Sequence, residues 1–185
     1  MLPKRLSIKF FAQNPEVISQ EAFIPVFHKW IQRRTVPGLL IDVADYSHVP
    51  DGPGILIIAH EGDYAYDIRD GRPGLSYISK RPVADTLNGL LEHVLTATLA
   101  AIQRINEKEK SLNGLSFDLT SAEITFVDRL NTPNTTEIFE ALQAQIDLPL
   151  TLTRVENDPR ECLTIKAESP DFAQLLEQLK AVTSA

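Results

Sequence analysis

Ten consecutive residues, Asp42-Val43-Ala44-Asp45-Tyr46-Ser47-His48-Val49-Pro50-Asp51, hold three carboxylates and an imidazole. Such side chains ligate hard divalent cations or trade protons with a substrate. Asp42 interrupts the otherwise apolar run Leu39 to Val43. A carboxylate buried there would need a partner or would take a raised pKa. If this run and its successors form a meander with Gly54 opposite Ala44, Asp42 falls opposite Leu56. A tight turn at Glu61-Gly62 then sets Asp67 on the other side of Leu56. On that register Asp42, Asp45, His48 and Asp67 are the candidate catalytic residues, able to hold a cation or do acid/base work, and a slip of one residue would dissolve the group. The competing reading is structural, with Asp45, His48 and Asp51 capping turns.

Further candidates lie outside this stretch. Gly71-Arg72-Pro73-Gly74 can present backbone N–H groups and the Arg72 guanidinium to an anion, although the lysine and the strand-to-helix setting of a phosphate loop are missing. Its competing reading is a plain hairpin turn. Asp128-Arg129-Leu130-Asn131 precedes a helix signal, so Arg129 and Asn131 are candidates for holding a small acid, with an internal ion pair as the alternative for Arg129. His28 reads as a packing residue, and His93 has no acidic neighbour at ligand spacing. Ser47, His48 and Asp45 are loop neighbours and cannot take the mutual geometry of a nucleophile triad. No metal set and no cofactor motif emerges.

The elements that must position these residues follow from periodicity. Leu6-Ser7-Ile8-Lys9-Phe10 alternates as a half-buried strand does. Phe23, Val26, Phe27, Trp30 and Ile31 recur on one helical face, with Pro25 tolerable in the first turn. Leu39 to Val43, Gly54 to Ala59, Tyr64 to Arg69 and Leu75 to Ser79 read as strands separated by Gly and Pro turns. Asp85 is the expected cap of a long helix carrying Leu87, Leu90, Leu91, Val94, Leu95, Thr98, Ile102 and Ile105, with 106–110 as its solvated end. Strands at Leu115 to Leu119 and Glu123 to Val127 come next, divided at Thr120-Ser121. A helix with Asn134 and Glu137 as capping box follows. Leu148 to Val155 and Cys162 to Ala167 read as strands. The last helix opens at Ser169-Pro170-Asp171 and turns Phe172, Leu175, Leu176, Leu179 and Val182 inward.

This grammar occurs twice. Ile8-Lys9-Phe10-Phe11 matches Ile124-Thr125-Phe126-Val127, and the helices Phe23 to Ile31 and Ile138 to Ile146 follow at nearly the same offset. Leu39 to Val43 then matches Leu150 to Arg154, Gly54 to Glu61 matches Glu161 to Glu168, and Leu90-Leu91-Glu92-His93 matches Leu175-Leu176-Glu177-Gln178. The expected fold is therefore α+β, made of two diverged βαββα copies with the order of a ferredoxin-like split βαβ unit, a mostly antiparallel sheet and helices on one face. The first copy spans 1–110, with a hairpin inserted at about 62–82. The second spans 111–185, the two forming one globular unit.

Composition narrows the function. Eighteen basic against 25 acidic residues give a net charge of −7, and no Lys/Arg block could track a phosphate backbone, which argues against nucleic acid and anionic membranes. The apolar runs fall short of the roughly 20 residues that span a bilayer. The amino terminus lacks the apolar core of a signal peptide. Cys162, the single cysteine, excludes an internal disulfide and fits the reducing cytoplasm. The expectation is a cytosolic, non-catalytic small-ligand-binding or protein-interaction module, with a homo-oligomer or a small molecule as partner. The alternative is a metal-assisted or acid/base enzyme built on 42–51 and Asp67.

Overall fold

Alternation in the first strand sends Leu6, Ile8 and Phe10 to one side and Ser7, Lys9 and Phe11 to the other, and that division runs through the whole molecule. The computed structural model describes residues 3–81, 83–175 and 177. Along the chain come β1 (Leu6–Ala12), α1 (Phe23–Arg33), β2 (Leu40–Tyr46), β3 (Gly54–Ala59), β4 (Gly62–Asp67), β5 (Gly74–Ser79) and α2 (Leu87–Lys108). They are followed by β6 (Phe117–Phe126), α3 (Thr136–Gln143), β7 (Thr151–Arg154) and β8 (Leu163–Glu168). A last helix, α4, is described over 172–175 and at 177. Leu176 belongs, with Leu179, Val182 and Gln178, to the expected helical pattern that lies outside the described residues.

All eight strands form one antiparallel sheet in the order β2-β3-β4-β5-β1-β6-β8-β7. The architecture is thus α+β, and its two halves meet where β1 pairs with β6, Ile8 facing Ile124. In each half the strand next to the opening strand is the last one of the following hairpins: β5 beside β1 and β8 beside β6. β3 is three strands away from β1, so the place that β8 holds is taken in the first half by β5 and not by Gly54–Ala59.

One core lies between the sheet and the helices. Phe23 stacks on Tyr66 with ring centroids 4.2 Å apart, and Phe172 meets Phe10 edge-on at 5.2 Å. Trp30, Leu91, Leu142, Leu163 and Ile165 belong to the same buried cluster. Full burial of each such large side chain contributes about 1.5–3 kcal/mol. The far ends of α1 and α2 are clamped by Glu109, whose buried carboxylate accepts from Trp30 Nε1 at 3.0 Å and Arg104 Nε at 3.2 Å and pairs with Lys29. Within the charged run 106–110, exposed as expected at the other four positions, Glu109 is the exception. Burial pushes the Glu109 carboxyl up, but hydrogen bonds from Lys29 and Trp30 and the charges of Lys29 and Arg104 outweigh it and hold it below the usual carboxylate range.

Several boundaries differ from the sequence expectation for local reasons. The caps are Thr86 and Thr135, whose hydroxyls accept from Gly89 N and Ile138 N, and not Asp85 and Asn134. Asn134 is instead buried and holds the Arg154 fork and Asn157. At α4 the cap is Asp171, accepting from Ala173 N at 2.8 Å, and not Ser169. Thr120-Ser121 does not divide β6, because Asp118 accepts from both the N–H and the hydroxyl of Thr120 and the strand stays in the sheet.

Candidate functional site

The sheet face turned away from the helices carries ordered cross-strand rows. Ser7 lies between Ile78 of β5 and Thr125 of β6, and Thr125 faces Thr164 of β8 with the two hydroxyls 3.1 Å apart. Two residues further along β1, Lys9 lies between Ser76 and Glu123. The third row runs Asp67, Gly74, Phe11. Since the middle member of that row has no side chain, the Lys9 stem crosses it and its ammonium reaches Asp67 Oδ1 at 3.3 Å. A Cβ on Gly74 would sit 3.1 Å from Lys9 Cε and would run into the Phe10 carbonyl.

Asp67 is the centre of this face and is only 1% exposed. Its carboxylate accepts from the Arg69 backbone N–H at 2.9 Å and takes the Arg69 guanidinium side-on through Nε and Nη2. Burial alone would raise its pKa. The Arg69 hydrogen bonds and the charges of Lys9 and Arg69 prevail and keep it below the ordinary range, so Asp67 is ionised at neutral pH. Burial lowers the Lys9 ammonium, with Asp67 opposing the shift. Beside them Arg72 lies over the Phe11 ring at 3.9 Å and donates to Glu123 at 2.6 Å.

These side chains border a groove of about 590 Å³ that runs diagonally over β4, β5, β1, β6 and β8, from Asp51 and Asp70 to Cys162 and Glu161. Its lining holds three cations, Lys9, Arg69 and Arg72, against five carboxylates, Asp51, Asp67, Asp70, Glu123 and Glu161. Each cation is already paired to a carboxylate, while Asp70 and Glu161 make no ion pair among the described residues. The field in the groove is therefore acidic, with hydroxyls on its floor. Burial, the largest cause, pushes the Cys162 thiol up, away from the reactive thiolate.

Of the seven residues singled out from the sequence, Asp67 and Arg72 line the groove and the others do not. The β2–β3 register is Tyr46 opposite Gly54, Ala44 opposite Leu56 and Asp42 opposite Ile58, two residues away from the expected pairing. Ala65, not Asp67, faces Leu56 across β4. Asp42 and Asp67 consequently share a sheet face but stand two strands and about four residues apart, roughly 16 Å. Asp42 is exposed and accepts from Val43 N at 2.8 Å. Asp45 caps the turn through Ser47 N at 2.9 Å, and the Ser47 hydrogen bonds followed by the nearby His48 lower its pKa. His48 is exposed. Arg129 is exposed as well, while Asn131 donates to Asp128 Oδ2 at 2.7 Å and closes its own loop. Among the described residues no group of three or more His, Cys, Asp or Glu side chains is placed to hold a metal ion, and no helix is long and apolar enough to cross a membrane.

Sequence reasoning missed Lys9, Arg69, Glu123 and the Ser7, Thr125, Thr164 row. The available signal was that all but Arg69, which lies in the turn after β4, sit at the polar positions of alternating strands; what was missing was that β1 and β6 are neighbours. Comparison with protein-family models, with curated proteins and with solved structures finds no match.

Proposed function

We propose that this protein is a non-catalytic binding module whose ligand is a small, positively charged, polar molecule lying in the open-face groove. The observation that carries this reading is the acidic groove over Asp67, in which, among the described residues, every cation is already mated while carboxylates remain unmated. An ammonium group meets Asp70 and Glu161 without displacing an existing pair, and the hydroxyl row gives hydrogen bonds to a polar backbone. Binding rather than turnover is favoured by the protonation states: Asp67 is held ionised and the Cys162 thiol is held protonated.

We read the two halves as diverged copies of one ferredoxin-like split βαβ unit. Ile8 and Ile124, equated by the repeat, stand opposite each other in the β1–β6 pair, as the same residue of two copies related by a two-fold axis would. On this reading the groove lies across the seam of the duplication.

Spermidine is the probe. Its addition at low salt is expected to raise the melting temperature with concentration, as mass action on the folded state requires, and the effect should weaken as salt is added. Glu161→Gln with Asp70→Asn should remove most of that rise, whereas Asp42→Asn, on the remote strand, should leave it intact. The reading fails if citrate or inorganic phosphate stabilises the protein and spermidine does not, or if all three substitutions act alike.

A further inference from the structure

We infer a second, separate interaction surface: the outer edge of β2 takes an extended segment of another protein, carrying Lys or Arg at positions three residues apart, as an added strand. β2 is seven residues long and is the outermost strand on its side of the sheet. A strand so placed leaves every other N–H and C=O without a ladder partner. Of the six large hydrophobic side chains that are exposed among the described residues, four lie on β2 or beside it: Leu39 at 60%, Ile41 at 58%, Tyr46 at 42% and Val49 at 36%. Such a concentration on a free strand edge marks a pairing site and not scattered surface apolarity.

The chemistry of the occupant follows from charge. Asp42 and Asp45 are both exposed and neither forms an ion pair among the described residues. Lying three residues apart they face opposite sides of the sheet. The chain has no Lys or Arg from residue 35 to residue 68, yet it has six carboxylates there. A second copy paired through β2 would bring four aspartates onto one seam without a nearby cation, which is destabilising. A strand with basic residues at the same three-residue spacing would meet each aspartate across the ladder. Val43 shows how the edge waits: its N–H points away from β3 and is held by the Asp42 carboxylate at 2.8 Å. An incoming carbonyl would take over that N–H and free the carboxylate for the partner's cation, in the manner of strand addition.

The test uses the full-length protein and short labelled peptides of alternating β-formers with lysines three apart, alongside the same peptides with glutamate in place of lysine. The lysine peptide should bind and slow hydrogen exchange at the Ile41, Val43 and Asp45 amides, and the glutamate peptide should bind at least about tenfold more weakly, the swing expected from two cross-strand charge pairs. Val43→Pro removes an N–H that β3 does not use, so it should abolish peptide binding while the circular dichroism and the spermidine response stay unchanged. Should that variant fail to fold, Asp42→Asn with Asp45→Asn gives the same answer by weakening the lysine peptide selectively. The inference is overturned if both peptides bind alike, if binding leaves the β2 amides unprotected, if nothing binds, or if the edge is instead consumed by a dimer of this chain seen in sedimentation.

Discussion

Deleting the Lys9 and Arg69 cations together and deleting the Asp67 carboxylate are unequal perturbations, because the first leaves a buried charge without a counter-charge and the second does not. In Asp67→Asn, the Lys9 and Arg69 heads, 13% and 52% exposed, can turn to water, and a loss of about 1–2 kcal/mol is expected. In Lys9→Met with Arg69→Met the carboxylate keeps its burial without a counter-charge, and about 3–5 kcal/mol should disappear from the urea midpoint. The pH dependence has a definite sign. Asp67 and Glu109 have lowered pKa values in the fold, so the stability they confer is complete above the unfolded values near 4 and is lost as pH falls through the folded ones. A second loss begins higher. His93, which accepts or donates at 3.2 Å with the Tyr77 hydroxyl, is kept neutral mainly by burial, so stability should fall as pH drops below about 6.5. His93→Gln should flatten the urea-midpoint profile between about pH 7 and 5. At this scale the sequence made Asp67 and Arg72 visible through their turn and strand positions, and hid Lys9, whose importance depends on a glycine 65 residues away leaving open the gap between it and Asp67.

The helices and hairpins show which local signals suffice. Thr86→Ala should cost about 1 kcal/mol while Asp85→Ala should stay within about 0.5 kcal/mol, measured by thermal or urea unfolding. Two cap-forming residues stand side by side at both Asp85-Thr86 and Asn134-Thr135, and only the direction of the first free N–H groups decides between them. The strand segments and the Gly and Pro turns were legible, but the β2–β3 register was not. Two successive turns, closed by Val49 N to Tyr46 O and by Gly52 N to Val49 O, make the connection within 47–53, so Asp45 and Tyr46 join a ladder that was expected to end at Ala44. The shift is two residues, an even number, so Asp42 and Asp67 kept the predicted face while losing the predicted contact. Gly54 ends that loop at a φ of +72°, and a Cβ there would run into the Tyr66 carbonyl. Gly54→Ala should therefore destabilise by more than the roughly 1 kcal/mol of an ordinary left-handed glycine replacement.

Across the whole molecule, the succession of strands and helices was legible in the sequence, but not that all the strands share one sheet, since that depends on β1 and β6 recognising each other's edges. Fragments 1–110 and 111–185 should each aggregate alone and recover native-like circular dichroism when mixed, because each exposes the edge that the other covers. Hydrogen exchange in the intact chain should be slowest along this pair. The pairing also acts on synthesis. Ile8 leaves the ribosome more than a hundred residues before Ile124. At roughly 5–20 residues per second the nascent chain carries a bare, apolar strand edge for on the order of ten seconds. During that interval β1 can be held by β5 on one side only. A cell producing this protein thus has to shield that edge, and strains short of nascent-chain chaperones should show its yield fall first at high translation load.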